Sequence, residues 1–114
     1  MNAPNGIGEI DTVKLNIKYH DKCVRFEPAG IIDKKGAEVL KRRFDELDIT
    51  RLEKLVLDIV KVGYICGSGV GSLLMFYKKI TSKGGKLSIE NDTGFFTELL
   101  TITKMDTVIN VYSN

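Results

Sequence analysis

Between residues 66 and 72 the chain reads CGSGVGS, which places one thiol, two hydroxyls and three glycines within seven positions. Ahead of it runs LVLDIVKVG, an apolar stretch starting at Leu55, and beyond it an apolar segment opens at Leu73. Glycine crowded at such a junction lets something approach the backbone closely. Several chemistries use that arrangement, and each needs further residues. A Walker phosphate loop needs GxxxxGK followed by Ser or Thr, which neither GSGVGS nor the later GGKLS provides. A dinucleotide fingerprint starting at Gly67 needs glycine where Ser72 stands, and no acidic ribose partner follows at the usual distance. A hydrolase elbow needs glycine two residues to either side of its serine. Cys66 and Val70 flank Ser68 in that way, and Val70 and Leu74 flank Ser72. A Ser68 or Cys66 nucleophile also needs a base, and His20, the single histidine, falls in a predicted hairpin turn. The residues point away from an enzyme.

What remains is the position of Ser68 where a buried strand gives way to a helix. A hydroxyl there can cap the helix. It can also carry a phosphate, which would meet free backbone N–H groups and the positive end of the helix dipole. Gly67 and Gly69 would leave that backbone bare to a modifying enzyme. Phosphorylation changes a neutral side chain into one carrying about −1.5 to −2 charges, which makes a sensible switch. Cys23 and Cys66 are the only thiols, no CxxC occurs, and one histidine adds little. Soft ligands are too few for a structural zinc site, and reduced thiols are expected. No metal or cofactor of the chain's own is expected.

The surrounding elements follow from periodicity. Residues 1–11 hold Pro4, Gly6 and Gly8 with few anchors and read as a loose tail. Val13, Leu15, Ile17 and Tyr19 alternate with polar residues in a half-buried strand. His20-Asp21-Lys22 turns this into CVRFEPAG, whose strand character is expected to end near Pro28. Asp33 is a helix N-cap, followed by the stripe Ala37, Leu40, Phe44 and Leu47. Residues 55–60, nearly all apolar, suit a central strand covered on both faces. Val70, Leu73, Leu74, Tyr77 and Ile80 trace a second helix from 68 to 82, stopped by Gly84-Gly85. KLSIE at 86–90 alternates as a strand, and a third helix is expected over Phe95, Phe96, Leu99 and Leu100. The closing TVINVY reads as a short strand or a helical turn. Strands alternating with helices predict an α/β fold, with a mixed central sheet of four to five strands and crossover helices.

Composition bounds the partners. The chain has 114 residues, a formal net charge of +2, and lysines scattered among acids. That is one domain without the basic stripe that nucleic acid requires. No apolar stretch is long enough to span a bilayer, and no secretory-type segment opens the chain. A cytoplasmic protein bound to neither membrane nor nucleic acid is expected.

Taken together, GIID at 30–33, LVLDIVKVGYI at 55–65, GSGVGSLL at 67–74 and GGKLSIEN at 84–91 resemble the STAS-domain family of bacterial anti-sigma factor antagonists. The final FFTELLTITKMDTVINVY resembles that family's last helix and tail. The resemblance spans 12–114 and implies a single STAS domain. It implies a non-enzymatic regulator that sequesters an anti-sigma factor serine kinase and is released from it by phosphorylation. ATP and magnesium would then belong to the kinase, and a phosphatase would reset the switch. The family's run Asp-Ser-Ser-Gly or Asp-Ser-Thr-Gly aligns with Cys66-Gly67-Ser68-Gly69, so the phosphorylated position falls on Ser68. Cys66 and Gly67 depart from the pattern. The partner surface implied comprises Asp33, Gly67, Gly69, Ser72, Met75 and Phe76. Met75 and Phe76 also exceed what one buried helix face needs, so some of that apolar surface is expected to be exposed. The alternative is an unphosphorylated STAS module that binds a small ligand or serves as a structural subunit.

Overall fold

The structure is a computed structural model that describes residues 12–92, Gly94, Glu98 and 110–113. The loose tail expected over 1–11 lies outside the described residues, as does the third helix expected over 93–100 apart from Gly94 and Glu98, where the Glu98 N–H donates to Gly94 O at 2.9 Å. Strand β1 (Val13–His20) turns back through Asp21 and Lys22 into β2 (Cys23–Ile32). The pairing is antiparallel, from Val13 opposite Gly30 to His20 opposite Cys23. The hydrophobic alternation holds up to Ile17 but not beyond, since Tyr19 is 66% exposed. Helix α1 (Lys34–Asp45) then crosses over to β3 (Lys54–Asp58), which lies parallel to β2.

A bend follows. The Asp58 carboxylate accepts the Val60 N–H at 3.1 Å and Val62 N–H bonds back to Ile59 O at 3.0 Å, so the run expected as one strand to residue 60 stops at Asp58. It resumes as β4 (Lys61–Ile65), a strand that periodicity did not separate from the glycine stretch. β3 and β4 follow one another along the same side of β2, pairing with 23–26 and with 29–32 respectively. Pro28 falls in the gap between them. The strand therefore continues through Pro28 instead of ending there, because that position has no neighbour on that side to receive an N–H. Helix α2 (Gly67–Ser82) returns the chain to β5 (Lys86–Asp92), parallel to β3, and β6 (Asn110–Ser113) pairs parallel with β5. The closing segment thus contains a strand. The sheet is mixed, ordered β1-β2-β3-β5-β6 with β4 beside β2.

Both helices pack on one face of the sheet and on each other. Phe26 and Ile32 from β2, and Leu55 and Leu57 from β3, meet Leu40 and Phe44 of α1 and Leu73, Phe76 and Ile80 of α2. The rings of Phe44 and Phe76 stack with centroids 4.2 Å apart and planes 15° from parallel, which seals the contact between the helices. On β3, Val56 and Asp58 are buried on the other face, so the strand is covered on both sides as expected. There Arg25 ties three strands together. Its guanidinium donates to Glu27 at 3.0 Å, Asp58 at 2.6 Å and Glu90 at 2.8 Å. At the end of α2 the Gly85 N–H returns to Ile80 O at 3.0 Å, closing the helix where the two glycines predict.

Candidate functional site

The end of β2 and the end of β4 set the site. These strands run side by side and parallel, with Ile31 opposite Tyr64 and Ile32 opposite Ile65. Each leads directly into a helix, so α1 and α2 start next to each other at the carboxyl edge of the sheet. Open α/β sheets commonly bind ligands and partners at that edge. The Cys66 N–H donates to Ile32 O at 2.9 Å, joining the two helix starts through the backbone.

α1 begins with a full side-chain cap. Asp33 has extended backbone, and its carboxylate accepts the Gly36 N–H at 2.9 Å and the Thr12 hydroxyl at 2.7 Å. Those two bonds, the Thr12 one foremost, hold its carboxyl below the usual carboxylate range. The cap predicted at Asp33 is present.

α2 begins differently. Its N-cap is Cys66, which makes no side-chain capping bond, and Ser68 is the second residue inside the helix. The expectation that Ser68 caps α2 is therefore corrected. A cap must stand just outside the helix to reach the N–H groups two or three residues ahead of it, and Ser68 is two positions too far along. Ser68 is exposed, and its hydroxyl has no hydrogen-bond partner among the described residues. The N–H groups of the first turn project without a capping side chain, where an anion gains from both donors and dipole. Ser72, one turn on, is engaged: its hydroxyl donates to Ser68 O at 3.0 Å.

The two glycines beside Ser68 do different work. Gly67 is exposed, and a Cβ there would meet nothing within 4 Å. Gly69 is buried, and a Cβ there would lie 2.6 Å from Ile65 Cγ1 and 2.9 Å from Ile32 Cγ2. It is a packing glycine that seats α2 on the two isoleucines. The bare backbone expected around Ser68 is thus present at Gly67 and absent at Gly69.

This seating also turns the helix. Its buried line is Gly69, Leu73, Phe76 and Ile80, while Val70, Leu74, Met75 and Tyr77 are half-buried beside it. Phe76 is fully buried, so its expected place on an exposed partner surface is wrong. The apolar residues of α2 fit two neighbouring stripes equally well. A glycine with no apolar mass decides between them by allowing close approach. Met75 retains some exposure.

The exposed apolar surface lies instead on the strands. Ile31 is 46% and Tyr64 56% exposed, and they are register partners at the ends of β2 and β4. The β4 register slips at Gly63, an extra residue that aims Tyr64 outward and Ile65 inward. The signal was present in the sequence as the doublets Ile31-Ile32 and Tyr64-Ile65. Adjacent strand residues face opposite ways, so one of each doublet had to face out. No group of three or more His, Cys, Asp or Glu side chains converges as for a metal ion among the described residues.

Comparison with known proteins bears on this geometry. The sequence model of the STAS domain family matches residues 14–114. The chain belongs to the STAS domain family. A curated STAS relative, the anti-sigma F factor antagonist of Paenibacillus polymyxa, is 21% identical over 103 residues, covering 90% of this chain and 88% of that protein. Among solved structures, an anti-sigma factor antagonist from Mycobacterium paratuberculosis superposes with a TM-score of 0.77 at 18% identity, over 95% of this chain and 92% of that one. The Bacillus cell fate determinant SpoIIAA in its phosphorylated form gives 0.72 at 12% identity, over 86% and 90%. At such identities the structural likeness shows the STAS fold. Within this STAS domain Ser68, Gly67 and Asp33 gather at the two adjoining helix starts. Ser72 and Met75 lie further along α2, and Gly69 and Phe76 are buried beneath it.

Proposed function

We propose that this STAS domain is an anti-sigma factor antagonist, which binds an anti-sigma factor serine kinase in the cytoplasm and is released when that kinase phosphorylates Ser68. One observation carries the reading: Ser68 presents an exposed hydroxyl, unengaged among the described residues, on the uncapped start of α2. A kinase can reach such a hydroxyl without breaking any contact of the fold. Beside it, Ile31 and Tyr64 offer an apolar anchor of the kind protein interfaces use. Names borne by relatives of the same fold point the same way. The loss of the family's acidic residue at Cys66 removes a charge that would repel a phosphate at 68, so the departure is compatible with the switch. ATP and magnesium belong to the kinase, and a phosphatase restores the binding form.

The test uses the purified chain, a cognate anti-sigma factor kinase and ATP. Mass spectrometry is expected to find one phosphate, on Ser68, and none on Ser68→Ala. Calorimetry should give Ser68→Ala the affinity of the unmodified chain, since the hydroxyl caps nothing. Ser68→Asp should bind more weakly by at least tenfold, because an unpaired charge entering a desolvated contact costs several kcal/mol. Equal affinities for all three would overturn the switch and leave a ligand-binding or structural module.

A further inference from the structure

The face of the sheet opposite the helices holds a second concave surface, remote from the Ser68 edge in its chemistry. A groove of about 460 Å³ opens there, within the size range of small-molecule sites. Its floor includes Ala29 of β2, which pairs with Lys14 of β1 on one side and Lys61 of β4 on the other. Adjacent strands are about 4.8 Å apart, so the two lysines start roughly 10 Å apart across a floor of one methyl group. Lysine stems are long enough for both ammonium groups to meet one group held between them.

The charges in the groove are unevenly satisfied. Glu27 is engaged by Arg25 at 3.0 Å and Lys18 at 3.4 Å, and takes the Asn16 amide at 3.0 Å. Asp58 takes Arg25 at 2.6 Å, Asn91 at 2.8 Å and the Val60 N–H at 3.1 Å. Lys14 and Lys61 are exposed, and neither has an ion pair or side-chain hydrogen bond among the described residues. The unneutralised charge is therefore positive and lies on the two lysines that face each other. On the rim Val60 is 51% exposed and offers an apolar contact.

We infer that this groove binds a small organic phosphate monoester, its dianionic head between Lys14 and Lys61 and its organic body against Val60 and Ala29. The head matches two ammonium groups that have no partner among the described residues, and the body matches the apolar side chains of Val60 and Ala29 beside them. The groove does not involve Ser68, so this site stands apart from the phosphorylation reading.

Titration of the isotope-labelled full chain with phenyl phosphate, followed by amide NMR, tests it. Saturable shifts are expected at residues 14–16, 27, 29 and 60–61, weaker with inorganic phosphate, and absent with phenol. Binding should weaken as salt rises. The double substitution Lys14→Gln, Lys61→Gln should raise Kd about tenfold, the loss of two exposed ion pairs, without changing the melting temperature. Inorganic phosphate binding as tightly as phenyl phosphate would overturn the role of the apolar rim. Shifts that do not saturate, that gather at the start of α2, or that persist undiminished in the double variant would each overturn the site.

Discussion

Gly69→Ala and Gly71→Ala make the same chemical change on the same helix and should act in opposite directions. At 69 the added methyl would lie 2.6 Å from Ile65 Cγ1, 2.9 Å from Ile32 Cγ2 and 3.1 Å from Ile65 Cδ1. Both isoleucines are buried in the core, so neither can step aside and α2 must lift from the sheet. Overpacking of this kind costs about 1–3 kcal/mol. Alanine returns about 0.5–1 kcal/mol through its better helix propensity, leaving a net loss of up to roughly 2.5 kcal/mol. At 71 the methyl meets nothing within 4 Å, so only the propensity gain of up to about 1 kcal/mol remains. Urea and thermal unfolding would read these as a melting temperature lower by up to about 10 °C for Gly69→Ala and higher by up to about 4 °C for Gly71→Ala. Because the strain falls next to Ser68, phosphorylation should also slow in the first variant and not in the second. A Gly69→Ala protein as stable as Gly71→Ala would refute the close seating of α2 on Ile32 and Ile65.

Two further outcomes concern stability. Asp58→Asn leaves Arg25 with two of its three carboxylates and should cost about 1–3 kcal/mol in urea unfolding. That is less than for a fully buried pair, because the Arg25 side chain is 30% exposed. Burial alone would raise the Asp58 carboxyl, but hydrogen bonds from Asn91, the Val60 N–H and Arg25 outweigh it and hold it below its ordinary value. A lowered folded value means that this stabilisation is present above the unfolded carboxylate range near pH 4 and lost as pH falls through the folded one. The gap between wild type and Asp58→Asn should therefore be full at neutral pH and close in acid; a constant gap would contradict the pairing. Cys66→Ser supplies the missing cap oxygen at the start of α2 and should stabilise the chain by about 0.5–1 kcal/mol. An unchanged melting temperature would mean that the first-turn N–H groups are already satisfied.

Element type was largely readable because each segment carries one dominant period. β1 and α1 are amphipathic, β3 is apolar throughout, and Gly84-Gly85 marks a helix end. The misses share a cause: they depend on what a residue meets across the fold. Pro28 stays within a strand because its neighbours part around it. The run from Leu55 splits at Asp58 because a carboxylate takes its own chain two residues on. α2 is rotated by one stripe because Gly69 must face Ile32 and Ile65, a constraint written in two other elements. The same rotation buries Phe76 and shifts the exposed apolar surface to Ile31 and Tyr64.

The two helix starts show how the candidate site can be both firm and available. α1 is fixed by side chains, with Asp33 holding Gly36 and Thr12 at once. A change at Asp33 would loosen the helix and the start of β1 together. α2 is fixed by backbone and packing alone, through the Cys66 N–H on Ile32 O and the close fit of Gly69. No side-chain capping bond of its first turn holds it in place. Ser68 can therefore gain or lose a charge while the helix beneath it keeps its position, and what changes is the surface that a partner meets. A cap at Ser68 would have joined the proposed switch to the stability of the fold; its absence separates the two.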